Sequence, residues 1–366
     1  MKIPTSGNNV VVDTKYIVVH KLERFLTLKT IALFLLLTFL SACGDGNGDL
    51  HRRTQILMGT LVEIIISERT PEQSNDASSK AFDEMQRIEN LFSSHLPDSE
   101  ISRINQNAGG DWVAISKETQ EVLKRALYWS QKSEGAFDPT IGAAAALWNL
   151  EEIPKALPSP GTLEEAASLI DYRKLELKDG KARLTAKGMS LHLGAIGKGY
   201  AVDRAIEALK EAGVEAALVN AGGDLAVFGK RKGQPWRIGL QHPRHPEKMI
   251  AALSLENQSM ATSGDYQKYF MFEGKRYHHI LNPKTGSPAT EASIVSATVI
   301  TKSVMDADAL ATALFVMGPQ KGIELANALD SAEAMIITEG GTTFFSENFK
   351  YQPDFIYRGF EAGNVH

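Results

Sequence analysis

The chain has 366 residues, 43% of them hydrophobic and 23% charged, with a formal net charge of −5. That length and balance suit one large folded domain or two small ones, and exclude disorder, collagen or a repeat array. With no long basic run, the charge also excludes the electrostatic footprint of a nucleic-acid binder.

Ile31 to Leu40 (IALFLLLTFL) is an apolar run of ten residues, too short for a bilayer span of about 20. Lys21, Arg24 and Lys29 precede it, and Leu40-Ser41-Ala42-Cys43 follows. A basic segment, a short apolar core and small residues before a cleavage point make a secretory signal. The small residues lead into Cys43, the one cysteine of the chain, which excludes an internal disulfide. The pattern resembles a bacterial lipoprotein signal, in which that cysteine is lipidated and becomes the first mature residue. Residues 1–42 are therefore expected to be the signal, 43–54 the lipidated cysteine and a flexible tether (GDGNGD), and 55–366 the folded domain. Gly44 followed by Asp45 is a mixed sorting signal. The preferred reading is an exported protein anchored to the inner membrane and facing the periplasm.

Leu57 to Ser67, rich in Ile and Val, reads as a strand. Ser78 to Phe92 reads as an amphipathic helix, with Phe82, Met85, Ile88 and Phe92 three or four apart. The stretch from Phe92 to Gly110 is polar and turn-rich. Glu118 to Ser133 is a second helix, ending before Gly135-Ala136-Phe137-Asp138. Ile153 to Gly161 reads as a loop. A strand over Met189 to Leu193 leads into a glycine-rich turn. A helix from Tyr200 to Ala212 follows, with Gly213 as its stop. Ala216 to Asn220, Leu225 to Phe228, Trp236 to Leu240, Ile250 to Leu255 and Ser293 to Ile300 read as strands. The last helix spans Ser303 to Met317, and strands near Ala334 to Thr338 and Thr342 to Phe345 close the body. Hairpin-like strand pairs with one strand–helix–strand unit argue an α+β fold: mixed and antiparallel sheets with flanking helices.

Four stretches could carry chemistry. LHLGAIGKGYAVDR (191–204) matches neither GxxxxGK[ST] nor GxGxxG. Its glycines still let backbone N–H groups approach an anion at a helix start, where Lys198 adds a positive charge; the alternative is a tight packing turn. NAGGD (220–224) reads as a structural turn. In YHHILNPKTG (277–286) the adjacent histidines point to opposite faces, so one at most serves a given site. Two histidines with no third ligand make a poor zinc case, and a general base is the better role. On the last helix Ser303 and Asp306 read as a cap. Asp308 and Thr312, four apart, place two oxygens on one face, as a hard cation such as Mg²⁺ needs; a solvated face is the alternative.

Together these stretches resemble the bacterial ApbE-like flavin transferases, the FAD:protein FMN transferases. The matches run in order: Met58-Gly59-Thr60, FSSHLPDSEISRIN (92–105), Gly135-Ala136-Phe137-Asp138, LGAIGKGYAVD (193–203), NAGGD, Thr262-Ser263-Gly264-Asp265-Tyr266, HHILNPKTG and DADALATAL (306–314). The resemblance implies a fold with an FAD cleft between two subregions. It implies a protein that takes FAD as substrate with Mg²⁺, splits the pyrophosphate and joins FMN by a phosphoester to a threonine of an acceptor protein, releasing AMP. The acceptor would carry a Ser-Gly-Ala-Thr-like site, as in membrane redox subunits facing the periplasm. By motif, Met58, His95, Ala136, Phe137, Asp138, His192, Lys198 and Leu281 would meet FAD. Asp308, Thr312 and the backbone carbonyl of Ala195 would hold Mg²⁺. His279 would be the base and His278 structural, so that His279, Lys198 and Asp308 form the catalytic set. His192 stands where many members have Asp, His95 where some have Tyr, and Ala311 where some have an acidic ligand. The alternatives are an FAD pyrophosphatase and a non-catalytic flavin-binding lipoprotein.

Overall fold

The computed structural model describes residues 50–148, 150 and 153–360. The signal, Cys43 and the start of the tether lie outside the described residues. The folded chain opens on β1 (Leu50–Leu57), β2 (Thr60–Ser67), α1 (Pro71–Phe92), α2 (Glu100–Gln106), β3 (Val113–Ala114) and α3 (Lys117–Lys132). Then come α4 (Gly142–Ala145), α5 (Pro160–Ser168), β4 (Leu175–Lys178), β5 (Lys181–Leu184) and α6 (Gly197–Glu211). Strands β6 (Ala217–Ala221), β7 (Asp224–Phe228), β8 (Trp236–His242), β9 (His245–Leu255), β10 (Gln258–Gly264), β11 (Tyr269–Phe272), β12 (Lys275–His278) and β13 (Ile294–Thr301) follow. The chain closes with α7 (Val304–Met317), α8 (Pro319–Asn327), β14 (Glu333–Thr338), β15 (Thr343–Phe345) and β16 (Ile356–Tyr357).

The centre is an eight-stranded sheet in the order β1-β2-β6-β7-β10-β13-β14-β15. Every pairing between these strands is antiparallel. One face packs on α1, α6 and α7, and the other on the small sheet β16-β9-β8. Burial on both faces explains why β2 reads as a continuous apolar run: Ile64 and Ile66 enter the helix-side core, while Ile65 enters the opposite one. A satellite core joins α4, α5 and the β11–β12 hairpin around Ala144, Trp148, Ala166, Phe270 and Leu281. Its rings stack in file, Trp148 on Tyr277 at 5.8 Å and Tyr277 on Phe270 at 5.4 Å.

The α+β expectation holds, with every named strand pair antiparallel, a further helix (α8) after the one expected to be last, and four local corrections. The strand expected over Leu57 to Ser67 is the end of a hairpin. Met58 and Gly59 take positive φ (52° and 68°) and turn the chain, so β1 begins at Leu50 inside the stretch assigned to the tether. The polar stretch after Phe92 contains α2, whose N-terminus is capped by Ser99. The loop expected up to Gly161 already starts α5 at Pro160. No strand forms over Met189 to Leu193. There Leu191 N donates to Asn105 Oδ1 (2.7 Å), Asn105 Nδ2 to Leu191 O (3.0 Å) and His192 N to Pro139 O (2.8 Å). A side chain and a loop thus take the bonds a ladder would have used, and the strand–helix–strand unit is absent.

Candidate active site

The glycine-rich turn opens α6 three residues earlier than the periodicity suggested, which places Lys198 in the first turn. Gly199 lies where α6 crosses α7: a Cβ there would sit 2.4 Å from Val304 O. Only glycine permits that approach, and it brings the start of α6 against Asp308. Gly199 N donates to Asp308 Oδ2 at 3.1 Å. Lys198 Nζ donates to Gly194 O (2.8 Å), to Asp224 Oδ2 (2.9 Å) and to both oxygens of Asp308 (3.3 Å).

The electrostatics follow from burial. Desolvation pulls the Lys198 ammonium down, but the carboxylates of Asp224 and Asp308 outweigh it and leave it raised, so the lysine is charged. Burial and the like charge of Asp224 push the Asp308 carboxyl up, while the Lys198 ammonium and the Gly199 amide hold it toward the ionised form. Asp308 is buried at 4% exposure, which rules out the solvated-face alternative. Thr312, one turn on, shares a hydrogen bond with Ser263 at 3.1 Å.

Two histidines flank this charge. His279 follows β12; its backbone N donates to Lys268 O at 3.1 Å, and its Nδ1 faces the same carbonyl at 3.3 Å. A carbonyl only accepts, so the ring proton is on Nδ1 and Nε2 is the open base. Burial, then the Lys198 charge, hold His279 down to about 3. His192 is held down to about 4 by burial and by the charges of His95, Lys198 and Lys268. His192 therefore presents a neutral ring at this point. His278 is buried, edge-on to Phe315, with Nδ1 unpartnered.

The other expected residues sit on separate turns, loops and cores. Met58 sits in the β1–β2 turn, whose Gly59 has its Cβ position 3.5 Å from Lys268 Nζ. His95 is exposed and lies close enough to His192 to shift it. Asp138 accepts from Thr140 N (2.8 Å), Thr140 Oγ1 (2.6 Å) and Tyr172 N (2.9 Å), and burial raises its pKa. It also lines a cavity of about 900 Å³ with Gly135, Leu163, Tyr172, Pro283 and Thr285. Ala136, just before it, is half-buried. Phe137 and Leu281 are core residues, in the main and satellite cores respectively, and they hold their loops in place.

The sequence reading missed Asp224 and misplaced Asp306. Asp224 ends the NAGGD turn, and only the fold shows that its carboxylate reaches Lys198. The expected Ser303–Asp306 cap does not form. Asp306 instead pairs with the Arg125 guanidinium and accepts from Trp129 Nε1 at 2.9 Å, while α7 is capped by Asp203 of α6. No group of three His, Cys, Asp or Glu able to hold a metal occurs among the described residues. A cation here would need neutral oxygens as well. Thr312 offers a hydroxyl, and Ala195 precedes the cap residue Ile196, so its carbonyl lies outside the helix ladder. Two carboxylates against one lysine leave a net charge of −1 in the trio, and the donors are all oxygen, which fits a hard divalent cation.

The ApbE family model matches residues 58–336. An FAD:protein FMN transferase of Treponema pallidum is 32% identical over 305 residues, 78% of this chain and 84% of its own length. One from Haemophilus influenzae is 35% identical over 271 residues, 71% of this chain and 78% of its own. The crystal structure of an ApbE protein from Thermotoga maritima superposes with a TM-score of 0.75 at 34% identity, covering 83% of this chain and 99% of that one. The flavin transferase ApbE of Vibrio cholerae gives the same TM-score, 0.75, at 29% identity. A family model matched over residues 58–336, together with relatives above 30% identity across more than two thirds of this chain, shows that the chain belongs to the ApbE family.

Proposed function

We propose that this chain is an FAD:protein FMN transferase that splits the pyrophosphate of FAD, joins FMN by a phosphoester to a threonine hydroxyl of an acceptor protein, and releases AMP. The observation that carries the reading is Lys198, a charged, largely enclosed ammonium in the first turn of α6, held between two carboxylates beside a neutral histidine. Phosphoryl transfer is mainly positioning and charge stabilisation. The first-turn amides of α6 and the Lys198 ammonium supply positive charge for an entering pyrophosphate.

His279 is uncharged at neutral pH, with Nε2 open, so it can accept the proton of the threonine hydroxyl as the new P–O bond forms and the bond to AMP breaks. The arriving negative phosphates oppose the desolvation that holds this histidine down, which raises its basicity when it is needed. Asp308, Thr312 and the Ala195 carbonyl would hold Mg²⁺, which when bound neutralises charge on phosphate oxygens.

The export and anchoring expected from residues 1–43 belong to the same reading: the acceptor would be a periplasm-facing redox subunit and Cys43 the lipid attachment point. No helix among the described residues is long and apolar enough to cross a membrane.

The test is the intact mass of an acceptor fragment carrying a Ser-Gly-Ala-Thr segment, incubated with the purified chain, FAD and Mg²⁺, with an EDTA control. A metal-dependent gain of one FMN phosphoester is expected. AMP release without that gain would instead make the protein an FAD pyrophosphatase, and bound intact FAD with neither product would make it a carrier.

A further inference from the structure

We propose that Asp224 is a positioning residue of this site: it anchors Lys198 and supplies the negative charge that lets the Lys198–Asp308 pocket take up a divalent cation. The inference rests on the transferase reading above and extends it to a residue with no role so far.

Asp224 is the first residue of β7, paired with Ala221 across the turn Gly222-Gly223. That turn is rigid. Both glycines have positive φ (65° and 107°), and Gly223 N is held by Asn220 Oδ1 at 2.9 Å. A Cβ on Gly222 would lie 2.3 Å from Thr60 Oγ1, so the turn is seated against β2. The Asp224 side chain is 6% exposed and therefore points its charge from a fixed strand end into the protein. Its contact with Lys198 (2.9 Å) is shorter than either contact that Lys198 makes with Asp308 (3.3 Å).

An ammonium has three donors, and here they go to Gly194 O, Asp224 and Asp308. To meet a phosphate, Lys198 must release one of them. The longer bonds to Asp308 are the ones to give up, and a cation binding to Asp308 displaces them. Asp224 then keeps Lys198 in place while the freed donor turns to the ligand. The charges fit this exchange. Lys198 with Asp308 alone is neutral and has little attraction for a second cation; Asp224 makes the trio −1.

The experiment measures binding of Mn²⁺ to the full chain without FAD, by the loss of the free-ion electron paramagnetic resonance signal. Asp224→Asn keeps the shape and an oxygen acceptor but removes the charge, and should weaken Mn²⁺ on the order of tenfold or more. Lys198→Gln should change it in the opposite direction, to tighter binding. The double variant should return toward wild type. A merely structural role for Asp224 gives no such reversal of sign. Should Asp224→Asn alone fail to fold, Lys198→Gln against Lys198→Gln/Asp224→Asn carries the same comparison, and the second change must weaken binding. Wild-type affinity in Asp224→Asn, with Mn²⁺ bound, overturns the role of Asp224 and leaves the transferase reading intact. Absence of Mn²⁺ binding in wild type, with FMN transfer persisting in EDTA, overturns the cation pocket itself.

Discussion

Asp203 and Asp308 cap one another's helices. Asp203, on α6, accepts from Val304 N (2.8 Å) and Met305 N (3.0 Å) at the start of α7, and Asp308, on α7, accepts from Gly199 N (3.1 Å) at the start of α6. Neither helix carries a local side-chain cap of its own. The exchange locks the crossing at which the lysine–aspartate centre forms, so the same contact serves stability and the site.

The crossing depends on the missing side chain of Gly199. Gly199→Ala would push a methyl to within 2.4 Å of Val304 O, and overpacking of this kind costs about 1–3 kcal/mol. Urea unfolding should show that loss, with FMN transfer reduced as α6 and α7 separate. Gly161→Ala, on the open surface of α5 with nothing within 4 Å, is the control and should leave stability unchanged or slightly higher.

Asp203 gives a pH signature. Burial pushes its carboxyl up to about 6, against the hydrogen bonds it accepts, whereas an unfolded aspartate titrates near 4. Between those values the folded chain holds a proton that the unfolded chain has lost, so this group's contribution to stability falls as pH rises from about 4 to about 6. Asp203→Asn cannot titrate. The stability of wild type relative to Asp203→Asn should therefore decline across that interval, on the order of 1–3 kcal/mol, and be flat above it. A flat difference throughout would show that the carboxyl titrates normally.

His278 should act in the opposite direction. Burial holds it down to about 4, while an unfolded histidine takes its proton near 6.5. As pH falls from about 6.5 to about 4 the unfolded chain gains a proton that the folded chain refuses, and stability is lost. Replacing it by leucine, which also removes the unpartnered Nδ1, should flatten the acid limb of the stability profile measured by denaturant unfolding. An unchanged limb would show that His278 takes its proton as readily in the folded chain as in the unfolded one.

His279→Ala should lower the rate of FMN transfer by about 10²–10⁴, with FAD affinity retained in an equilibrium fluorescence titration. A loss under about threefold would remove His279 from the proton transfer. Asp308→Ala should abolish transfer, as should chelation of the metal in wild type; normal Mg²⁺-supported transfer by Asp308→Ala would refute its place in the cation site.

The longer helices and the candidate site residues were legible in the sequence because they are local. Periodicity marks α1, α3 and α6, and Lys198, His279, Asp308 and Thr312 stand in short motifs whose spacing one turn or one helix fixes. Asp224 was not legible as a functional residue: NAGGD reads as a hairpin turn, which it is, and nothing in five residues tells which distant ammonium its last carboxylate will meet. Asp306 misled for the converse reason. Three residues after a serine at a helix start it has the spacing of a cap, yet a guanidinium and an indole from α3 bind it more strongly than its own backbone does. The segment from Met189 to Leu193 is apolar enough for a strand but finds its hydrogen bonds in Asn105 and Pro139. The sequence by itself determined which groups are available and which helix start carries a lysine among glycines. The tertiary structure alone decided their protonation and their pairing, because both depend on burial and on charges brought from 26 and 110 residues away along the chain, from Asp224 and Asp308 to Lys198.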